Sequence, residues 1–311
     1  MNTLTMQTGG ALTEQVGAEL LNSFVSYLDT SKRTVETYTC SLRQFFKWLT
    51  ANEIRQPQRT DILEYKSSLM ARGLKPSTVQ SYITAVKLFF SWAEQEGFYP
   101  NIAQHIKGVK LDKSHKKDYL TKEQAKEILN DINQDSVKGK RDFAIMALML
   151  TTGMRTVEVI RADVSDMRTL GSKTVLYVWG KGRTDKTDFV IIEPETEKAI
   201  RAYLKARGNA KANEPLFIST SNNNCGERLT TRTIRGTVKE ILRNAGYDSD
   251  RLTAHSLRHT SVTLSLLAGK DITEAQQFAR HSSIDTTQIY NHALQKAQNS
   301  CSRAIADAIF Y

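Results

Sequence analysis

The chain has 311 residues, more than one ordinary domain needs and enough for two with separate cores. Its 43 Lys and Arg against 33 Asp and Glu give a formal net charge of +10 and a pI near 9.4, which favours a polyanionic partner; nucleic acid comes before a membrane surface, since no basic amphipathic helix or lipidation signal is present. Cys40, Cys225 and Cys301 are too scattered for a disulfide framework or a zinc set, no apolar run approaches a membrane span, and the opening MNTLTMQTGGALTEQ lacks the features of a signal peptide, so a cytoplasmic protein is expected.

Residues 1–14 are polar and read as a flexible N-terminus. From 15 to 105 the pattern is that of helices with short connections. TVETYTCSLRQFFKWL (34–49) and TVQSYITAVKLFFSWA (78–93) share Thr, Val, Tyr, Phe-Phe and Trp at equal spacing. In the second copy Val79, Tyr82, Val86, Phe89 and Phe90 recur at three and four, which places them on one apolar helical face. Ser77 and Gln80 read as a capping box opening that helix, and Gly97 marks its end. A helix is expected over 60–72. Two copies suit paired core helices better than a solenoid.

Residues 106–118 form a basic interdomain linker carrying Lys107, Lys110, Lys113, Lys116 and Lys117. The plain reading is a solvated connection. The functional one is a strap along a phosphate backbone, and the two are compatible.

The second domain is expected over 119–311. Thr121, with Glu123 and Gln124 behind it, caps the first helix. Residues 141–152 read as a buried helix. KTVLYVWGKGRTDKTDFVIIE (173–193) alternates about a Gly-Lys-Gly turn, the mark of a β-hairpin. Segments 196–207, 230–245, 255–269, 272–280 and 284–296 are again helical. The fold class is therefore mostly α with a small antiparallel β-sheet.

Four pieces of this second domain carry polar residues their surroundings do not explain. They are Arg155 just past Gly153; Lys181 at the hairpin tip; His255 and Arg258, three apart and on one helical face; and His281 with Tyr290. Each has an ordinary explanation: Arg155 with Glu158 as an i,i+3 ion pair, Lys181 as a solvated turn residue, the His-x-x-Arg pair as a surface contact, and Tyr290 as a half-buried aromatic. Their combination in one basic domain is what carries information.

The motifs TGMRTVEVI, GKG, HSLRHTSVT and RHSSIDTTQIYNH resemble those of tyrosine recombinases of the phage integrase and Xer family. The N-terminal repeat resembles that family's helical core-binding domain, so the likeness spans roughly residues 15–300. It implies an N-terminal core DNA-binding domain and a C-terminal α+β catalytic domain closing as a clamp on duplex DNA. It also implies that Arg155 and Arg258 hold the scissile phosphate, that Lys181, His255 and His281 belong to the same site, and that Tyr290 is the nucleophile. The partners so implied are double-stranded DNA with an inverted-repeat core site, a homotetramer formed on it by exchange of C-terminal tails, and an accessory directionality factor. The tail's Ala304, Ile305, Ala308 and Ile309 have helical spacing for such an exchange. The family pattern has Leu-Gly before the second histidine where this chain has Ala279-Arg280, and Arg280 is expected to add a phosphate contact.

The chemistry is coherent without cofactor or metal. No acidic cluster suited to magnesium is evident, so side chains must meet the charge of the transition state. Two guanidinium groups can grip nonbridging oxygens bidentately, and the same cations would lower the pKa of Tyr290. A flexible Lys181 can protonate the leaving 5′ oxygen. The expected activity is site-specific recombination through a 3′-phosphotyrosyl intermediate, serving integration and excision of a mobile element or resolution of DNA dimers. The competing readings are a type IB topoisomerase, a metal-dependent nuclease using His255 and His259 at i,i+4, and a DNA-binding regulator with a decayed site.

Overall fold

The computed structural model describes residues 14–110, 118–179, 185–208, 210–297 and 301–310. The chain divides into two compact units, residues 1–113 and 114–311. No helix among the described residues is long and apolar enough to cross a membrane.

The first unit is built from helices α1 (Glu14–Tyr27), α2 (Lys32–Ala51), α3 (Arg59–Ala71) and α4 (Pro76–Gln95). Ser31 caps α2 by accepting the Thr34 N–H. The two copies of the repeat are α2 and α4, and their shared Phe-Phe pairs meet in the core. The Phe45 and Phe90 rings lie 6.1 Å apart, and Phe46 meets Phe89 edge-on at 5.3 Å. Each such pair adds about 0.5–1.5 kcal/mol beyond its buried area. The start of α4 differs from expectation. Lys75 is its N-cap and Pro76 its first residue, and no side-chain cap is made there. Gln80, read as half of a capping box, instead accepts the Val109 N–H at 2.8 Å. Gly97 follows the helix end with φ +71. Residues 106–110 also differ from a free strap: Ile106 is buried in the first core, and Lys66 Nζ donates to the Lys107 carbonyl at 2.8 Å. Lys107 and Lys110 point to solvent; Lys113, Lys116 and Lys117 lie outside the described residues.

The second unit opens with α5 (Lys122–Asn130), capped by Thr121 with Gln124 as anticipated. Then come α6 (Val137–Thr152), α7 (Thr156–Arg161) and a sheet in the order β1 (Met167–Leu170), β2 (Lys173–Val178), β3 (Asp188–Ile192), both pairings antiparallel. The hairpin of β2 and β3 was expected; β1 was not. It is joined to β2 through Gly171-Ser172, with Gly171 at φ +61 as a two-residue hairpin turn requires. Helices α8 (Pro194–Arg207), α9 (Thr231–Asn244), α10 (Ala254–Leu267), α11 (Ile272–Ala279), α12 (Ile284–Ala297) and α13 (Cys301–Phe310) follow. The core joins Ile145, Leu148 and Met149 of α6 to Ile200 and Tyr203 of α8 and Leu257 of α10. On α13, Ile305, Ile309 and Phe310 are exposed.

Candidate active site

The site begins where α6 stops. Gly153 ends that helix in the left-handed region, and a Cβ there would lie 3.3 Å from the Phe278 ring. Its carbonyl accepts a 2.6 Å bond from Arg258 Nη1. Two residues on, Arg155 is the N-cap of α7. Its backbone N–H donates to Glu158 Oε2 and its Nη1 to Glu158 Oε1, both at 2.8 Å, while Nη2 donates to the Arg280 carbonyl at 3.2 Å. The run TGMR thus turns the chain sharply and fixes the Arg155 guanidinium by two bonds, its backbone N–H making a third.

Arg258 enters from α10 and is 1% exposed. Its Nη2 donates to the Ala279 carbonyl. Burial, then the charge of Arg155, lowers its pKa to about 10, so it remains a cation at neutral pH. The carbonyls of residues 279 and 280 both belong to the last turn of α11. They are presented by Arg280 itself, which takes the left-handed conformation (φ 53, ψ 47) that the family pattern fills with glycine. The local turn therefore survives the substitution, at a backbone cost of about 1–2 kcal/mol. Against that cost stands an ion pair: Arg280 Nη2 lies 2.7 Å from Glu158 Oε2, with Nε 3.7 Å from Asp188. The Arg280 head is turned onto these carboxylates, its side chain 10% exposed.

Glu158 is accordingly shared by two arginines. Burial would push its carboxyl up, but Arg280, the Arg155 N–H and the Arg155 charge together hold it below the usual range. Sequence reasoning had noted only the local pair with Arg155. The partner from α11 could not be inferred from spacing.

His281 follows Arg280, its Nδ1 2.9 Å from Thr287 Oγ1. Burial, then the charges of Arg258 and Arg155, drives its pKa down to about 4, so the ring is neutral at pH 7. Tyr290 on α12 is 6% exposed, its ring 6.2 Å from that of His281. Both arginines act on the phenol in the anticipated direction, yet burial outweighs them and its pKa is raised, not lowered. His255 is exposed on α10. The imidazole against Tyr290 is that of His259, with Nε2 3.5 Å from Oη and ring centres 4.7 Å apart. Lys181 lies outside the described residues. Beside that turn, Trp179 meets Arg161 at 6.0 Å, and Lys186 pairs with Asp163 at 2.6 Å and Asp166 at 2.5 Å.

The phage integrase family model matches residues 118–297, and the N-terminal SAM-like domain of phage integrases matches 21–97. The tyrosine recombinase XerA of Pyrococcus furiosus is 30% identical over 90% of this chain and 91% of its own length. A tyrosine recombinase of Synechocystis is 28% identical over 90% of this chain and 92% of its own. The fold is shared with the XerH site-specific recombinase in its post-cleavage complex with a palindromic difH substrate (TM-score 0.71, 20% identity, 96% of this chain and 92% of that one). The topoisomerase reading is thereby set aside: the chain belongs to the phage integrase family, the tyrosine recombinases that break and rejoin DNA.

Proposed function

We propose that Tyr290 Oη attacks the scissile phosphorus while Arg155 and Arg258 hold its nonbridging oxygens. The neutral His281 donates a further hydrogen bond to the same phosphate. As the Oη–P bond forms, the P–O5′ bond breaks, and Lys181 protonates the departing 5′ oxygen. A 3′-phosphotyrosyl link and a free 5′ hydroxyl result, and attack by another 5′ hydroxyl reverses the step without ATP. One observation carries this reading: the phenol of Tyr290 and the imidazole of His281 both lie within electrostatic reach of Arg155 and Arg258. Glu158 and Arg280 serve as the frame that fixes Arg155, and His255 lies at the exposed rim.

The substrate we infer is double-stranded DNA with an inverted-repeat core site, contacted also by Lys107, Lys110, Lys113, Lys116 and Lys117. The exposed apolar residues of α13 suit exchange between protomers of a tetramer on that DNA. The setting is cytoplasmic, in integration and excision of a mobile element or in dimer resolution, with a directionality factor as a further partner. Incubating wild type with genomic fragments, then sequencing the DNA left covalently attached, maps the junction. Tyr290→Phe is expected to retain that DNA in a binding assay and yield no covalent adduct. An adduct on the Phe variant would place the nucleophile elsewhere.

A further inference from the structure

Three features of Arg280 oppose stability. It takes the left-handed backbone (φ 53, ψ 47), which residues with a Cβ rarely adopt. Its guanidinium is a cation withdrawn from water, the side chain only 10% exposed. Its Nε, 3.7 Å from Asp188, is enclosed without a hydrogen-bond partner among the described residues. Strain of this kind is retained where function requires it.

The contacts of the side chain show what it does. Nη2 lies 2.7 Å from Glu158 Oε2, and Nη1 donates to the Phe278 carbonyl at 3.3 Å. The same Oε2 accepts the Arg155 N–H, and Glu158 Oε1 accepts from Arg155 Nη1, each at 2.8 Å. Glu158 is 4% exposed and ionised, so its charge is met by the protein and not by water. Met by Arg155 alone, it would cancel that guanidinium, and the phosphate would face a neutral pair. With Arg280 included, the three groups together stay cationic. The two arginines are not equivalent: the Arg155 side chain is 28% exposed and open to a ligand, whereas Arg280 is withdrawn. Behind burial and larger charges, Arg280 also helps lower the pKa of Arg258 and of His281, so its field extends across the site.

We propose that Arg280 is a positioning residue for strand cleavage: its guanidinium takes up the charge of Glu158 and leaves that of Arg155 to meet the scissile phosphate. The proposal rests on Arg155 being a phosphate ligand. Glu158 braces Arg155 through two bonds, and Arg280 offsets the electrostatic penalty of that brace. Without Arg280 the carboxylate becomes inhibitory, a sign that no packing account shares.

The test is single-turnover adduct formation at saturating DNA, on a nicked duplex carrying the core sequence recovered from the covalent junction. Wild type is compared with Arg280→Gly, Arg155→Met and the double variant Glu158→Gln/Arg280→Gly. Arg280→Gly relieves the left-handed backbone and removes the cation. It is expected to form adduct about 10–10²-fold more slowly than wild type, with DNA affinity within about threefold. In the double variant the carboxylate charge is gone while its shape and one acceptor remain. Adduct should then form at least about fivefold faster than with Arg280→Gly alone. A rate for Arg280→Gly within about threefold of wild type overturns the proposal. So does a double variant no faster than Arg280→Gly, the result given by a residue that only props the turn. If Arg280→Gly does not melt cooperatively, Arg280→Asn, alone and with Glu158→Gln, decides by the same criteria, since asparagine also accepts the left-handed backbone. Arg155→Met at a rate within about threefold of wild type would remove Arg155 from the phosphate, and this proposal would fall with that reading. A slow Arg155→Met beside a wild-type rate for Arg280→Gly overturns this proposal alone.

Discussion

Helices α4 and α10 both run through the interior of their units, yet they bury opposite kinds of residue. Helix α4 buries Val79, Ile83, Phe89, Phe90 and Trp92. Helix α10 buries Ser256, Arg258, His259, Thr260, Ser261 and Thr263. Burying polar atoms is tolerable only if each finds a partner, and along α10 they do. Thr260 Oγ1 donates to the Ser256 carbonyl and accepts the Leu120 N–H, both at 2.9 Å, while Ser261 Oγ donates to the Leu150 carbonyl at 2.7 Å. These bonds lock α10 to the segment before α5 and to the end of α6, and so fix the angle at which Arg258 and His259 project. One interior is optimised for stability; the other gives up apolar burial to hold charged and basic groups in place.

The largest effects should separate along that line. Phe90→Ala empties the centre of the first core and is expected to cost about 3–5 kcal/mol in urea unfolding that resolves the two units. Adduct formation by the folded protein should stay within a few-fold of wild type. Arg258→Met, similar in length but uncharged, removes a cation whose burial is itself unfavourable, and loses two bonds to carbonyls. These opposed terms should leave stability within about 2 kcal/mol, whereas adduct formation falls about 10²–10³-fold or more. If Arg258→Met destabilises the second unit as much as Phe90→Ala does the first, the contrast between the two interiors is wrong.

What could be read in advance divides in the same way. The pairing of α2 with α4 was legible because a repeated Phe-Phe on a 3.6-residue period leaves one buried arrangement. The hairpin of β2 and β3 was legible from alternation. Strand β1 was not, since MRTL has no alternation of its own and owes its conformation to pairing with β2. Ser77 and Gln80 have the spacing of a capping box, but with Lys75 as N-cap and Pro76 first the helix starts two positions earlier. In the site, Arg155, Arg258, His281 and Tyr290 were recognisable as motif residues. The sharing of Glu158 with Arg280, 122 residues away, arises where the residue capping α11 meets α7 and leaves no local trace. His259 carried one signal, its place beside Arg258. That its ring meets Tyr290 depends on how α12 settles against α10.

A smaller effect tests the electrostatics of the second interior. The folded pKa of His281, about 4, lies below the ordinary 6.5, so between these values the unfolded chain binds a proton that the folded one refuses. Stability from this residue is therefore complete above about pH 6.5 and drains away as pH falls toward 4. The loss should reach about 2 kcal/mol once partial exposure is allowed for. Melting of the second unit across that window should be less pH-dependent in His281→Gln than in wild type. Equal slopes would mean that neither burial nor the arginines hold this imidazole neutral.

The smallest expected effect lies in the first unit and has the opposite sign. Tyr65 on α3 is buried against Phe45 and Trp48, with ring centres 5.0 and 5.4 Å away. Its hydroxyl is enclosed without a hydrogen-bond partner among the described residues, and burial pushes its pKa well up. A donor left unpaired in an apolar interior costs about 1–3 kcal/mol, so Tyr65→Phe should stabilise the first unit by about 1 kcal/mol and leave adduct formation unchanged. On α10 an equivalent removal of a hydroxyl, Ser261→Ala, should destabilise, because that hydroxyl is bonded to Leu150 and Leu257. Were Tyr65→Phe instead to weaken the fold or slow cleavage, the aromatic interior would be carrying a polar function too, and the difference between α4 and α10 would be one of degree.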